Sequence, residues 1–280
     1  MISYKITKNR LENIYIIIIL TTLSINAIIP FGKEVMVLSV LSKIKDGLTK
    51  GKIKKYTSSV LSLPQGFTIT CHSGAYGTPE NSVESIETCV KNNAQIVEMD
   101  ITFRPDGTPC VIHSSNPGMN EGEDFKKMLS AVAASDTCRM NLDLKNYSNL
   151  PEIDRILKEM NLFDRAFYTG VNLNVCNTVK ENSGVPYYIN TVIPPKKRRS
   201  VSYIESLCRE YKDRGALGIN CHYSNLNKTV CDVFHKNGLL VSAWTADSKL
   251  SQTMLLSLGV DNITTRKPAD LKELIDNWKK

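Results

Sequence analysis

Six side chains in this sequence have the types and spacing that could do chemistry together. His72 closes the apolar run "FTITCH" and His113 closes "PCVIH". In "IVEMDI", Glu98 and Asp100 lie two residues apart and share one face of a strand, while Val97, Met99 and Ile101 share the other. "NLDLK" repeats the arrangement, with Asp143 and Lys145 on one face and Leu142 and Leu144 opposite. Three carboxylates converging from two strands repel one another strongly at low dielectric unless a cation neutralises them. Oxygen ligands of this kind suit a hard divalent ion, Mg²⁺ or Ca²⁺. The competing reading, surface charges on an exposed sheet edge, sits poorly with the apolar residues that flank each carboxylate. Such a set suits hydrolysis of a phosphodiester. A cation and Lys145 would neutralise the non-bridging oxygens, one imidazole would take a proton from the nucleophile, and the other would protonate the departing alkoxide. An ordinary imidazole pKa near 6.5 allows the two to differ in protonation after small shifts.

The elements that must position these groups alternate along the chain. Short β-branched runs, "FTITCH", "QIVEMDI", "PCVIH", "MNLDLK", "AFYTG", "VPYYINTVI", "ALGINCHY", "LLVSAWT" and "VDNITT", are separated by amphipathic helices. Apolar residues at i, i+3, i+4 and i+7 mark three of those helices: Ile153, Ile156, Leu157 and Met160; Ile204, Leu207, Cys208 and Tyr211; Leu271, Leu274, Ile275 and Trp278. Gly215, Gly238 and Gly259 each stand where a helix should stop, and Pro268 where the last should start. With "PCVIH" taken as the return arm of a hairpin turned at Pro105-Asp106-Gly107, eight parallel strands remain. The expected fold class is therefore α/β, a (β/α)8 barrel over residues 57–280, with its site at the C-terminal ends of the strands.

Charge and cysteine usage narrow the partners. Of the 35 Lys/Arg and 28 Asp/Glu, ten and three lie in residues 1–56, leaving 25 of each in residues 57–280. A neutral main domain argues against nucleic acid as a partner. The N-terminal extension holds the uncharged stretch "IYIIIILTTLSINAIIPF", residues 14–31, a candidate transmembrane segment at the short end of the roughly 17–25 residues that span a bilayer. Ile25-Asn26-Ala27 is a poor signal-peptidase site, and Met36 is an alternative start. Seven lysines from Lys33 to Lys55 follow the apolar stretch, against Lys5, Lys8 and Arg10 before it, which places the downstream domain in the cytoplasm. Membrane association through the extension, with a cytoplasmic catalytic domain, is thus one expectation, and a soluble cytoplasmic protein starting at Met36 the other. The eight cysteines show no C-x-x-C pair and read as reduced core residues.

Several linked motifs in order resemble the glycerophosphodiester phosphodiesterases: His72-Ser73-Gly74, Pro79-Glu80-Asn81-Ser82, "VEMDITFRPDGTPCVIHS", Asp143-Leu144-Lys145, Trp244-Thr245-Ala246-Asp247 and "GVDNITTRKP". The resemblance covers residues 66 to 275 and implies a TIM barrel. It implies His72 and His113 as the acid–base pair and Glu98, Asp100 and Asp143 as ligands of a divalent cation. It implies Lys145 at the phosphate of a small-molecule phosphodiester and Trp244 on the glycerol or head-group side. Glu80 would orient the first loop, and Asn81 or Ser82 would cap the following helix. His222, also at a strand end, reads as a packing residue or one that supports the site from behind, His235 as structural, and "PPKKRRS", 194–200, as a solvated loop or one that meets anionic head groups. Three residues depart from the family pattern: Ser73 for a phosphate-contacting arginine, Ser114 for an aspartate, and Asp143 for a glutamate. The expected activity is metal-dependent hydrolysis of glycerophosphodiesters to sn-glycerol 3-phosphate and an alcohol. The alternatives are a phosphodiesterase acting on lysophospholipid or other phospholipid head groups, and a membrane-tethered binding homologue without turnover.

Overall fold

The computed structural model describes residues 45–278, so the candidate transmembrane segment 14–31 and the start at Met36 lie outside the described residues. Among the described residues no helix is long and apolar enough to cross a membrane. Residues Ile53–Lys280 form one compact unit.

Eight strands of that unit run parallel: β1 (Thr68–Cys71), β2 (Ile96–Phe103), β5 (Arg139–Leu144), β6 (Ala166–Val171), β7 (Tyr187–Asn190), β8 (Gly218–His222), β9 (Leu240–Trp244) and β10 (Asn262–Thr265). Pairing proceeds β1-β10-β9-β8-β7-β6-β5-β2, and β1 also pairs β2, with Thr70 opposite Ile96, which closes the sheet on itself. The barrel expected from the alternating pattern is therefore present. β3 (Pro109–Val111) returns antiparallel on β2 after the turn at Gly107, whose φ of 83° lies in the left-handed region. The two-residue strand β4 (Glu123–Asp124) adds to its far edge. "VPYYINTVI" contributes a shorter strand than its run suggests, ending at Asn190 before the prolines.

Helices cover the outside. α1 (Val83–Lys91) follows β1, α2 (Phe125–Ala133) follows the hairpin arms, and α3 (Leu150–Glu159), α4 (Cys176–Asn182), α5 (Val201–Arg214), α6 (Lys228–Lys236), α7 (Lys249–Leu258) and α8 (Pro268–Asp276) follow the later strands. Gly215 and Gly259 end α5 and α7 in the left-handed conformation that glycine adopts without strain. The apolar face of every barrel strand packs outward onto these helices, and residues such as Val97, Met99, Leu142, Ile219 and Val241 are fully buried there. All eight cysteines are free thiols and buried, in agreement with their reading as reduced core residues.

The inward face is polar along much of its length, apart from a small buried apolar cluster of Ile96, Phe167 and Tyr188. Thr70, Asn141, Thr169, Asn220, Ser242, Asn262 and Thr264 are buried in the lumen. They satisfy one another: Ser242 Oγ donates to Asn220 or Asn262 (2.9 and 3.1 Å), Asn262 Nδ2 donates to Thr70 Oγ1 (2.8 Å), and Asn220 Nδ2 donates to Asn190 Oδ1 (3.0 Å). Buried polar groups are tolerable only when paired in this way.

Candidate active site

β2 and β5 are the elements that create the site. All eight residues of β2 are buried, so its period of two sends Val97, Met99 and Ile101 to the helices and Glu98 and Asp100 into the lumen. The register sets Asp100 opposite Asp143 and Glu98 opposite Asn141. The three carboxylates consequently converge, each offering an oxygen within 4.8 Å of the others. Among the described residues this is the one group of three or more His, Cys, Asp or Glu side chains so arranged.

The charges within the cluster differ. Lys145 Nζ lies 2.8 Å from Asp100 and also bonds Asp143. Burial disfavours the ammonium, but Asp143 and Asp100 outweigh it and raise the Lys145 pKa. Burial also disfavours charge on Asp100, yet Lys145 and the Asn81 amide outweigh that and lower its pKa. Glu98 moves the opposite way: burial, then the neighbouring Asp100 and Asp143, raise it well above the usual carboxylate range, only partly offset by the Ser73 N–H at 2.8 Å. Once Glu98 is ionised, three carboxylates against one ammonium leave two surplus negative charges. That surplus and the all-oxygen donor set fit a divalent cation of the Mg²⁺ or Ca²⁺ kind.

The two histidines stand on the same mouth in different settings. His72 follows β1, is largely buried, and has Nδ1 2.8 Å from the Ser73 carbonyl and 3.7 Å from Glu98. Burial, aided by Arg266, lowers its pKa, so the neutral ring is favoured. His113 lies two residues past β3 with its side chain 74% exposed and Nδ1 3.1 Å from Asp100 Oδ2. Around them a cavity of about 280 Å³ is lined by both histidines, the three carboxylates, Lys145, Gly170, Asn190 and Trp244. All seven site residues expected from the sequence meet there. Lys145 faces Asp100 and Asp143 directly. Trp244 forms the outer wall with its ring edge-on to His222, 5.7 Å away.

Several contributors are not apparent from the sequence. Asn81 is a candidate cap there, but Ser82 caps α1 by accepting from Ser85 N–H (3.1 Å). Asn81 itself adopts φ 54° and grips Asp100 twice: its Nδ2 donates to Oδ2 (2.7 Å) and its Oδ1 accepts the Asp100 N–H (3.0 Å). An asparagine after Pro-Glu, a residue type that tolerates the left-handed region, is the available signal. Thr169 Oγ1 sits 2.7 Å from Asp143 and from Asn141. Glu80 does hold the first loop, through Arg266 (2.7 and 3.1 Å), which also pairs Asp247. His235 is structural, bonded to Asp261 at 2.7 Å.

Comparisons with known proteins point to one family and one fold. The family model described as the glycerophosphoryl diester phosphodiesterase family matches residues 72–121 and 122–270. YhdW of Bacillus subtilis (strain 168), named for the glycerophosphodiester phosphodiesterases, is 24% identical over 232 residues, covering 71% of this chain and 94% of that protein. A Silicibacter pomeroyi DSS-3 crystal structure named for the same family superposes with a TM-score of 0.66 at 14% identity, covering 81% of this chain and 97% of that one. An Oleispira antarctica phosphodiesterase in complex with the product sn-glycerol-3-phosphate superposes at 0.62 and 18% identity, covering 77% and 98%. At such identities the structural likenesses speak for the fold.

Proposed function

The chain belongs to the glycerophosphoryl diester phosphodiesterase family of phosphoric diester hydrolases, and on that premise we propose that it hydrolyses glycerophosphodiesters to sn-glycerol 3-phosphate and an alcohol. The observation that carries the reading is the meeting of Glu98, Asp100 and Asp143 within 4.8 Å at a mouth that also holds His72, His113 and Lys145. The same proposal assigns the catalytic domain to residues 57–280 and treats residues 1–56 as an extension.

Glu98, Asp100 and Asp143 would hold a divalent cation, Mg²⁺ or Ca²⁺. Bound there, it supplies Lewis-acid stabilisation of the phosphoryl oxygens. Asn81 and Thr169 keep Asp100 and Asp143 aimed inward. Lys145 offers a second positive charge to the phosphate. His72, whose burial favours the neutral ring, accepts a proton from the attacking water, whose oxygen bonds phosphorus as the bond to the alcohol oxygen breaks. His113, open to solvent and oriented by Asp100, gives a proton to the departing alkoxide. Trp244 packs against the alcohol side. A serine at position 73 is compatible with turnover in this scheme, since it supports the site in another way. Its Oγ accepts the N–H of Asn81, the residue that clamps Asp100.

The reading is tested by assay. Purified protein with glycerophosphocholine and Mg²⁺ or Ca²⁺ should release glycerol 3-phosphate in an enzyme-coupled measurement. Failure across a panel of glycerophosphodiesters, each metal tried, would remove the assignment.

A further inference from the structure

The rim of the barrel is chemically lopsided. The loops after β6 (172–175), β7 (191–200) and β8 (223–227) contain no Asp or Glu, whereas those after β1, β3 and β9 carry Glu80, Glu121 and Asp247. Within this acid-free arc the β7 loop holds four consecutive cations, Lys196, Lys197, Arg198 and Arg199, although residues 57–280 carry equal numbers of acidic and basic groups.

The cations are not equivalent. Arg198 is engaged in structure: its guanidinium donates to the Ile193 carbonyl (2.8 Å), the Ser224 carbonyl (2.6 Å) and Asn225 Oδ1 (2.7 Å). It staples the β7 loop to the β8 loop. Pro194 and Pro195 stiffen the approach to it, and Lys196, Lys197 and Arg199 remain exposed. Val192, at the start of the same loop, is 75% exposed, the most exposed large apolar side chain among the described residues. Val201 follows the cations at 48% and Trp244 borders the arc at 36%. A shallow groove of about 360 Å³ lined by Leu173, Val192 and Trp244 meets the active-site cavity at Asn190 and Trp244.

A fixed loop that offers apolar side chains beside exposed cations, with no acidic group in the arc, matches an anionic bilayer in charge and in polarity. We propose that the rim formed by the loops after β6, β7 and β8 docks on an anionic lipid surface, with Val192 entering the interface and Lys196, Lys197 and Arg199 facing the head groups. Basic side chains near such a surface each strengthen attachment, and the effect falls off within a Debye length. Docked this way, the mouth of the cavity faces the lipid. That the surface would deliver substrate rests on the phosphodiesterase reading; the docking itself does not.

Full-length protein with Val192→Cys, labelled with an environment-sensitive fluorophore, tests it, because the eight native cysteines are buried and leave position 192 to the label. Vesicles of phosphatidylglycerol and phosphatidylcholine should shift the emission to the blue, and pure phosphatidylcholine should do so far less. The same label at Leu240→Cys, at the opposite end of the barrel, should stay unchanged, which separates rim docking from any attachment through the basic extension. Adding Lys196→Ala, Lys197→Ala and Arg199→Ala should raise the lipid concentration for half-maximal shift by at least about tenfold while leaving the thermal melt in place. No shift at 192, equal shifts at both positions, or no loss in the triple variant would overturn the proposal. A shift produced equally by a single-stranded oligonucleotide would overturn the lipid assignment. None of these readouts requires turnover, so a failed assay and failed docking are distinguishable.

Discussion

His72 and His113 have different surroundings, and this difference underlies their proposed division of labour. Burial lowers the pKa of the His72 ring and so favours its neutral form, whereas His113 is exposed and reached by Asp100 at 3.1 Å. His72→Ala and His113→Ala should each lower kcat by about 10²- to 10⁴-fold, with cation binding measured by calorimetry retained. A variant keeping more than a tenth of the wild-type rate would take that residue out of the chemistry. Glu98 supports a pH prediction. Its raised pKa means that below that pKa it holds a proton in the cation-free protein. A cation binding there must displace it, so affinity should weaken as pH falls, by up to about tenfold per pH unit, and level off above the Glu98 pKa. Calorimetry in two buffers of different ionisation enthalpy would show the released proton; equal apparent enthalpies would refute it.

At the scale of elements, β5 and β6 must approach closely beside Asp143, and Gly170 makes that possible. It adopts φ 77°, and a Cβ there would stand 2.3 Å from the Leu144 carbonyl oxygen and 3.0 Å from Asp143 Oδ1. The obstacle is backbone, which cannot swing aside as a flexible side chain would. Gly170→Ala should therefore destabilise the fold by about 1–3 kcal/mol, read as a Tm several degrees lower, and weaken cation binding by displacing Asp143. Unchanged values of both would show that β5 and β6 yield more easily than their geometry indicates. Gly74, at φ 79°, serves the first loop through its left-handed backbone, and a Cβ there would meet the Glu80 side chain, Cγ at 2.8 Å.

At the scale of the molecule, a largely polar lumen, with a small apolar cluster of Ile96, Phe167 and Tyr188, lies inside an apolar shell. The thiols all belong to the shell, and burial raises the pKa of Cys138 and Cys208 to about 11. A thiol-reactive chromophore should consequently find almost none of the eight in the native protein and all eight after denaturation. Rapid reaction of several in the folded state would contradict the burial of the shell.

Period-two alternation and helical spacing along the chain determined the barrel, the inward aim of Glu98, Asp100 and Asp143, and the strand-end positions of both histidines. A side chain's face follows from its own neighbours through the pleat, so those features were legible locally. Closure of the sheet decided the rest. It brought Arg266 to Glu80 across 186 residues, left the helix cap to Ser82 while Asn81 clamps Asp100, and placed Lys145 between Asp100 and Asp143. Which groups meet across the lumen depends on strand register and loop path, and no local pattern encodes either.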